Sequence, residues 1–323
     1  MIKLAGVVAV WAVAMVVGVT MQNEYWLAVV TATAFYAVWG QSWNIVGGLG
    51  GQISLGHSTF IAIAAYVTVI AFQRYHVTPA LGLFAGIAAA VVVAALIGLI
   101  TLRLDGPYFA LATLAVSAVL LSLIVHYNSF TGGANGLGIP FSETNPLKLE
   151  FISVRSYYLI AVTLLAAVTA VMLWIRRSRL GYYLLATSNS PAAAEAAGVR
   201  ASFARLIAFC ISAALTAAGG AIYVFYAGFA DPNFLAGLQL SISIALIAVV
   251  GGRGYLAGPI VGAAFLQGVT ALSDAYLGGS GGWNVLVLGA AVVVIVLIEP
   301  RGLLEMGHRL RLLVLRRFSV EVT

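Results

Sequence analysis

The chain reads as an all-α, polytopic membrane protein: a helical bundle of about ten transmembrane segments with both termini in the cytoplasm. Three observations predict this. Of 323 residues, 62% are hydrophobic and only 8% are charged, with a mean hydropathy of +1.06. Soluble domains carry roughly 25% charged residues, so a globular surface cannot be covered at this density and the soluble enzyme classes are excluded. Apolar runs near the ~20 residues needed to cross a bilayer recur along the whole length. Lysine and arginine, finally, fall unevenly between the connections.

Ten runs carry the prediction: 4–20, 26–46, 58–72, 80–102, 107–125, 157–175, 206–227, 238–250, 259–277 and 283–298. The first follows Lys3 in the manner of a secretory signal. Its end, Val-Gly-Val-Thr-Met-Gln, offers no small-x-small cleavage site, so it is expected to stay as the first helix. The third and eighth runs are short and adjoin glycine clusters, and are read as the broken or partly re-entrant segments. Pro79, Pro107, Pro191 and Pro259 stand near helix starts, where a missing N–H costs nothing, and the other four prolines fall in connections. With the N-terminus inside, 13 basic residues fall in cytoplasmic segments. They are Lys3, Arg103, Arg176, Arg177, Arg179, Arg200, Arg205 and Arg253, with Arg301, Arg309, Arg311, Arg316 and Arg317 in a basic tail, 299–323. Only Arg74, Lys148 and Arg155 fall outside. The inverse orientation would invert this bias. The same placement accounts for the net charge of +6 without a nucleic-acid partner.

Several chemistries are excluded by residue type. Lysine occurs only at Lys3 and Lys148, so no glycine-rich phosphate loop ending in lysine exists and the chain has no nucleotide site of that kind. Cys210 stands alone, and His57, His76, His126 and His308 lack the i, i+4 spacing of a helical metal pair, so no metal is expected. The one ionisable residue inside a run is Asp274, near the outer end of the ninth, where an interfacial carboxylate near water is the expected reading. A proton-coupled pump would need a buried chain of such groups. What remains for a route are neutral polar residues: Gln41, Asn44, Gln52, Ser54, Thr113, Ser117, Ser212, Thr216, Ser241 and Ser243. The outer segment 126–156 is long enough to meet an extracytoplasmic partner.

Two glycine clusters interrupt the apolar chain, GGLGGQISLGHSTF at 47–60 and GGRGYLAGPIVG at 251–262. Gly47, Gly48, Gly50 and Gly51 and then Gly251, Gly252, Gly254 and Gly258 mark helix breaks at corresponding places, a hint of internal duplication. Two readings of the first cluster stay open. Either Gln52, Ser54 and His57 stand beside a translocation path, or the stretch is a tight turn with His57 and Ser58 capping the next helix. Gly258 and Gly262 form a small-xxx-small pair suited to close helix packing.

The most telling connection is 176–205. Within it, SPAAAEAAG at 190–198 places Ser190 as N-cap, Pro191 at the first helical position and Gly198 at the terminus. Glu195, Ala196 and Ala197 lie in a helix that is too polar to span and too small-sided to repel a partner's groove.

This segment resembles the E-A-A-x-G coupling element that importer permeases of the ATP-binding cassette class insert into their ATPases. LRLDGPYFALATLAVS (102–117), TGGANGLGIP (131–140), RSRLGYYLLA (177–186), AGFADPNF (227–234), ALIAVVGGRGYLAGPIVGA (245–263) and EPRGL (299–303) extend the likeness. With the 47–60 cluster they follow, in order, the pattern of the LivM-type permeases of branched-chain amino-acid importers, from about residue 42 to 303. One departure is YYLLATSNS at 182–190, where the family usually continues with a basic stretch.

The resemblance implies a permease subunit in a bacterial cytoplasmic membrane that carries leucine, isoleucine and valine inward. It binds no cofactor itself, ATP being held by two separate ATPase subunits. It implies pairing with a second, LivH-like permease and an extracytoplasmic binding protein, periplasmic or lipid-anchored, that delivers the substrate. Residues 190–198 would then couple to the ATPase. Related permeases for urea and short-chain amides share these motifs, and a stand-alone channel or ion-coupled carrier is the alternative of another class.

Overall fold

The computed structural model describes residues 4–104, 106–140, 149–277, 282–300, 302–306 and 309. Each of the ten apolar runs is helical. The long helices are α1 (Leu4–Thr20), α2 (Glu24–Asn44), α3 (His57–Tyr75), α4 (Pro79–Thr101) and α5 (Pro107–His126). After the short α6 (Asn128–Thr131) come α7 (Val154–Arg177), α8 (Arg179–Asn189), α9 (Pro191–Ala196) and α10 (Ala201–Ala227). A short α11 (Pro232–Leu235) precedes α12 (Leu238–Gly252), α13 (Gly258–Leu277) and α14 (Trp283–Ile298). Five of these, α3, α4, α5, α7 and α10, are long and apolar enough to cross a membrane by themselves. The expected tail 299–323 falls mostly outside the described residues.

The third run is corrected. It is no broken segment but an unbroken 19-residue helix. Gln73 and Arg74 are helical because the arginine reaches outward: its guanidinium donates to the Ser129 and Phe130 carbonyls and stacks on the Phe130 ring, so a charge at the helix end stays solvated while its stem remains apolar. The break falls before α3 instead. There α2 widens into a π-turn, Ile45–Leu49, and residues 50–56 run without helix. The eighth run is short as read, 15 residues.

α3 and α10 form the centre, each with most of its apolar window buried, whereas α4 and α5 bury only 22% and lie at the edge. The core between α2, α7 and α10 is aromatic. Phe35, Trp39 and Tyr223 meet edge to face at 5.1–5.4 Å where they touch Tyr223, and Tyr157 packs on Tyr226 at 5.6 Å, a geometry worth about 0.5–1.5 kcal/mol per pair beyond area. A two-residue ribbon, β1 (Leu137–Gly138) with β2 (Phe229–Ala230), is antiparallel. It ties the segment after α5 to the turn after α10.

The close approach of α12 and α13 depends on the missing side chains. A Cβ on Gly262 would collide with the Ile247 carbonyl and sit 3.0 Å from the Gly251 nitrogen; one on Gly251 would collide with the Gly258 carbonyl. The Gly258–Gly262 pair is therefore a packing device, with Gly251 as its third member.

Candidate functional site

The stretch between α2 and α3 is non-helical backbone in which Gln52, Ser54 and Gly56 are buried while Gly51 and Ile53 are exposed, and side chains of α2 and α5 meet its buried polar groups. Trp43 Nε1 donates to the Ser54 carbonyl at 2.7 Å. The Leu55 amide donates to Thr113 Oγ1 of α5 at 3.0 Å. Buried backbone left outside a helix needs such partners, because a buried amide or carbonyl without one is costly.

His57 is wholly buried and holds two serines. Its Nε2 is 2.8 Å from Ser212 Oγ of α10, and its Nδ1 is 3.1 Å from Ser54 Oγ. Ser212 commits its only hydrogen to the Ser42 carbonyl at 2.7 Å. Nε2 must therefore donate to Ser212, and Nδ1 accepts from Ser54. The second of the two open readings, in which His57 and Ser58 cap α3, is corrected. Gly56 stands at the N-cap with no side-chain bond, and the acceptor comes from another helix: the Ser58 amide donates to Ser241 Oγ of α12 at 2.9 Å. Ser241 in turn donates to Ser58 Oγ at 2.8 Å, and Thr59 and Ser117 hydroxyls meet at 3.0 Å.

Ser54, His57, Thr113, Ser117, Ser212 and Ser241 are thus brought together as one buried hydrogen-bonded joint of α3, α5, α10 and α12. Replacing His57 with Phe keeps an aromatic ring, removes both ring nitrogens and strands the Ser54 hydroxyl. We expect a loss of roughly 1–3 kcal/mol, read as a lower midpoint of thermal unfolding in detergent. An unchanged midpoint would contradict the role.

Gln41 and Asn44 do something else. Asn44 Nδ2 donates to the Tyr255 carbonyl at 2.9 Å and its Oδ1 accepts from the Gly254 amide at 2.9 Å. Gln41 Nε2 donates to the Leu256 carbonyl at 3.1 Å. These amides clasp the second glycine cluster onto the first, and Gly48 lies so close that a Cβ there would stand 2.7 Å from the Gly254 nitrogen. Gly47 leaves room for the Trp43 ring, and Gly50 and Gly51 face Val46 and Ser188. Gly252 lies against Gly302 of the C-terminal segment. There Tyr255 donates to Glu305 at 2.6 Å and Glu299 pairs with Arg309 at 2.9 Å. Gln52 is buried, and one oxygen on each of Gln41 and Gln52, with the Thr216 hydroxyl, lacks a partner among the described residues. Ser243 is half-buried and lines a separate cavity.

The connection 176–205 holds two helices where the sequence reading had one. Missed there is α8, whose Gly181, Leu184 and Thr187 form its buried face. The three-residue spacing of these positions is the signal that carries it. Leu184 joins Ile45, Leu49 and Leu256 in one apolar cluster, so α8 rests on the π-turn and on the second glycine loop together. Arg205 of α10 donates to the Thr187 carbonyl at 3.4 Å. α9 follows at once. Ser190 Oγ accepts from the Ala193 amide at 3.3 Å, Pro191 begins the helix, and Gly198 ends it at φ +84°. Glu195, Ala196 and Ala197 are exposed, and only Ala194 is buried against the fold. The arrangement is a small, nearly bare helix held out from a well-anchored base.

The family described as "Branched-chain amino acid transport system / permease component" matches residues 25–297. The high-affinity branched-chain amino acid transport system permease protein LivM of Escherichia coli (strain K12) is 29% identical over 305 residues, covering 86% of this chain and 69% of that protein. LivM of Salmonella typhimurium is 27% identical over 304 residues, with the same shares. LivH of Escherichia coli (strain K12) is 26% identical over 294 residues, covering 85% and 92%.

Proposed function

The chain belongs to the family of branched-chain amino acid transport system permease components, and from that premise we propose that it is the membrane-spanning subunit of an ATP-driven importer for leucine, isoleucine and valine. The observation that carries the reading is α9. A helix of small residues, capped at Ser190 and stopped at Gly198, rests on the fold through Ala194 and leaves its other residues exposed, a shape that a groove on another subunit can enclose. In this reading two separate ATPases bind ATP, and one engages Glu195 and its neighbours. A second, LivH-like permease pairs with this chain, since a single coupling helix engages a single ATPase. An extracytoplasmic binding protein delivers the substrate, and this chain itself needs no cofactor. Among the neutral polar residues, Gln41, Gln52, Thr216 and Ser243 have hydrogen-bonding capacity that the described residues do not use, and these we assign to the route.

Ten crossings, both termini cytoplasmic and residence in the bacterial cytoplasmic membrane complete the proposal, supported by the 13-to-3 distribution of basic residues. In a Cys210-free background, Ser188→Cys is expected to react with an impermeant thiol reagent only from the cytoplasmic side. Labelling from outside would overturn the orientation. For the function, the tagged chain purified in mild detergent should bring down a second permease and two ATPases, and the assembly in liposomes should take up leucine only with ATP. Uptake by the isolated chain without ATP would refute the importer reading and favour a stand-alone carrier.

A further inference from the structure

We infer that a partly open cavity between α2, α12, α13 and α14 binds one branched aliphatic amino acid during passage. The inference rests on the transport reading above and adds to it a selective site inside this chain. The cavity measures about 150 Å³, which suits one small amino acid and is below the ~300 Å³ and more of larger ligand sites.

Its lining is divided by chemistry. Tyr36, Gln239, Ser243, Gln267 and Thr270 supply hydroxyls and amides. Ile247, Leu266 and Leu288 supply aliphatic surface. Gln239, Ser243 and Ile247 recur at intervals of four, so one face of α12 changes from polar to apolar with depth. On α13 the order matches, Thr270 and Gln267 beside the polar part and Leu266 beside the aliphatic part. The polar part lies toward the end of the bundle where α2 and α12 begin and α13 finishes, the end marked by the Tyr25 hydroxyl donating to the Ala271 carbonyl. Thr270 donates to the Leu266 carbonyl at 3.0 Å. Ser243 and Gln239 have no partner among the described residues.

A second observation supplies the missing charge. Asp274 lies four residues beyond Thr270, on the same face of α13. Its Oδ1 is buried and has no partner among the described residues. A buried carboxylate oxygen without a partner is costly, and an ammonium group entering above Thr270 completes it. The amides and hydroxyls below can donate to the α-carboxylate of the same molecule, and its branched side chain then meets Ile247, Leu266 and Leu288. No acidic or basic side chain is among the lining residues, so a charged side chain finds no ion-pair partner beside Ile247, Leu266 and Leu288.

The test uses the full complex, with both permeases, ATPases and binding protein, reconstituted in liposomes. Ser243→Leu fills the cavity, and the isosteric Asp274→Asn removes the charge while keeping the fold. Each is expected to lower leucine, isoleucine and valine uptake roughly tenfold or more, while ATP hydrolysis stimulated by the loaded binding protein stays within about twofold. A diazirine derivative of leucine should label peptides containing Tyr36 or Leu266 in the wild-type complex and lose that label in both variants. Variants that transport as well as a competent wild type overturn the site alone. A wild-type complex that moves none of the three amino acids overturns the site and the transport reading together. Should Ser243→Leu fail to assemble, Asp274→Asn decides.

Discussion

Replacing Gly262 with alanine is expected to remove most of the folded protein from the membrane. The new methyl has nowhere to go: it meets the Ile247 carbonyl, and the Gly251 nitrogen lies at 3.0 Å. Both are backbone, so no rotamer change relieves the overlap, and α12 must separate from α13 along their closest contact. Overpacking in a rigid core costs typically 1–3 kcal/mol and more where backbone must move. Here the separation would also strain the Gly254–Leu256 loop clasped by Asn44 and Gln41, so we expect about 3 kcal/mol or more. Size-exclusion profiles of the detergent-extracted protein should show loss of the monodisperse peak. Gly268 lies on the same helix, and a Cβ there meets nothing within 4 Å. Gly268→Ala is thus the control and should behave as wild type. A normal profile for Gly262→Ala would show that the helices are not packed backbone to backbone.

The second large effect is expected at α9 and concerns coupling, not folding. Gly198 has φ +84° and empty space around it, so a side chain there meets no neighbour and its only penalty is conformational. A β-branched residue resists this backbone region by ~1 kcal/mol or more. The chain then leaves the helix in another direction and α9 is re-aimed. Gly198→Val should insert and fold normally, yet lose ATPase association and substrate-stimulated ATP hydrolysis. Glu195→Ala should keep the helix and remove its one exposed charge, weakening the same association. Wild-type assembly, ATP turnover and uptake in both variants would refute a coupling role for this segment.

The positions of the long helices were legible in the sequence because bilayer-length apolar runs and boundary prolines are local signals. So was α9, where serine, proline and glycine mark start and stop within nine residues. The third run was cut short at residue 72 because Gln73 and Arg74 look like an ending. Only the folded chain shows the arginine finding the Ser129 and Phe130 carbonyls. α8 was missed because its buried face has three positions and little hydrophobicity. The polar residues named as a route stand out from the apolar runs around them, but their partners were not legible. His57 meets Ser212 at a separation of 155 residues and Ser58 meets Ser241 at 183, distances at which periodicity says nothing.

The clasp of Asn44 on the second glycine loop has a consequence for the order of events during synthesis. Asn44 and Gly254 are 210 residues apart, and at ~5–20 residues per second the second partner leaves the ribosome about 10–40 s after the first. Through that interval α2 carries two side-chain amides, those of Gln41 and Asn44, whose eventual partners do not yet exist. The early helices can therefore meet only provisionally. The bundle is locked late, when the nascent chain delivers residues 254–256, so a ribosome stalled before that point leaves a membrane-inserted intermediate whose α2 is still unfastened.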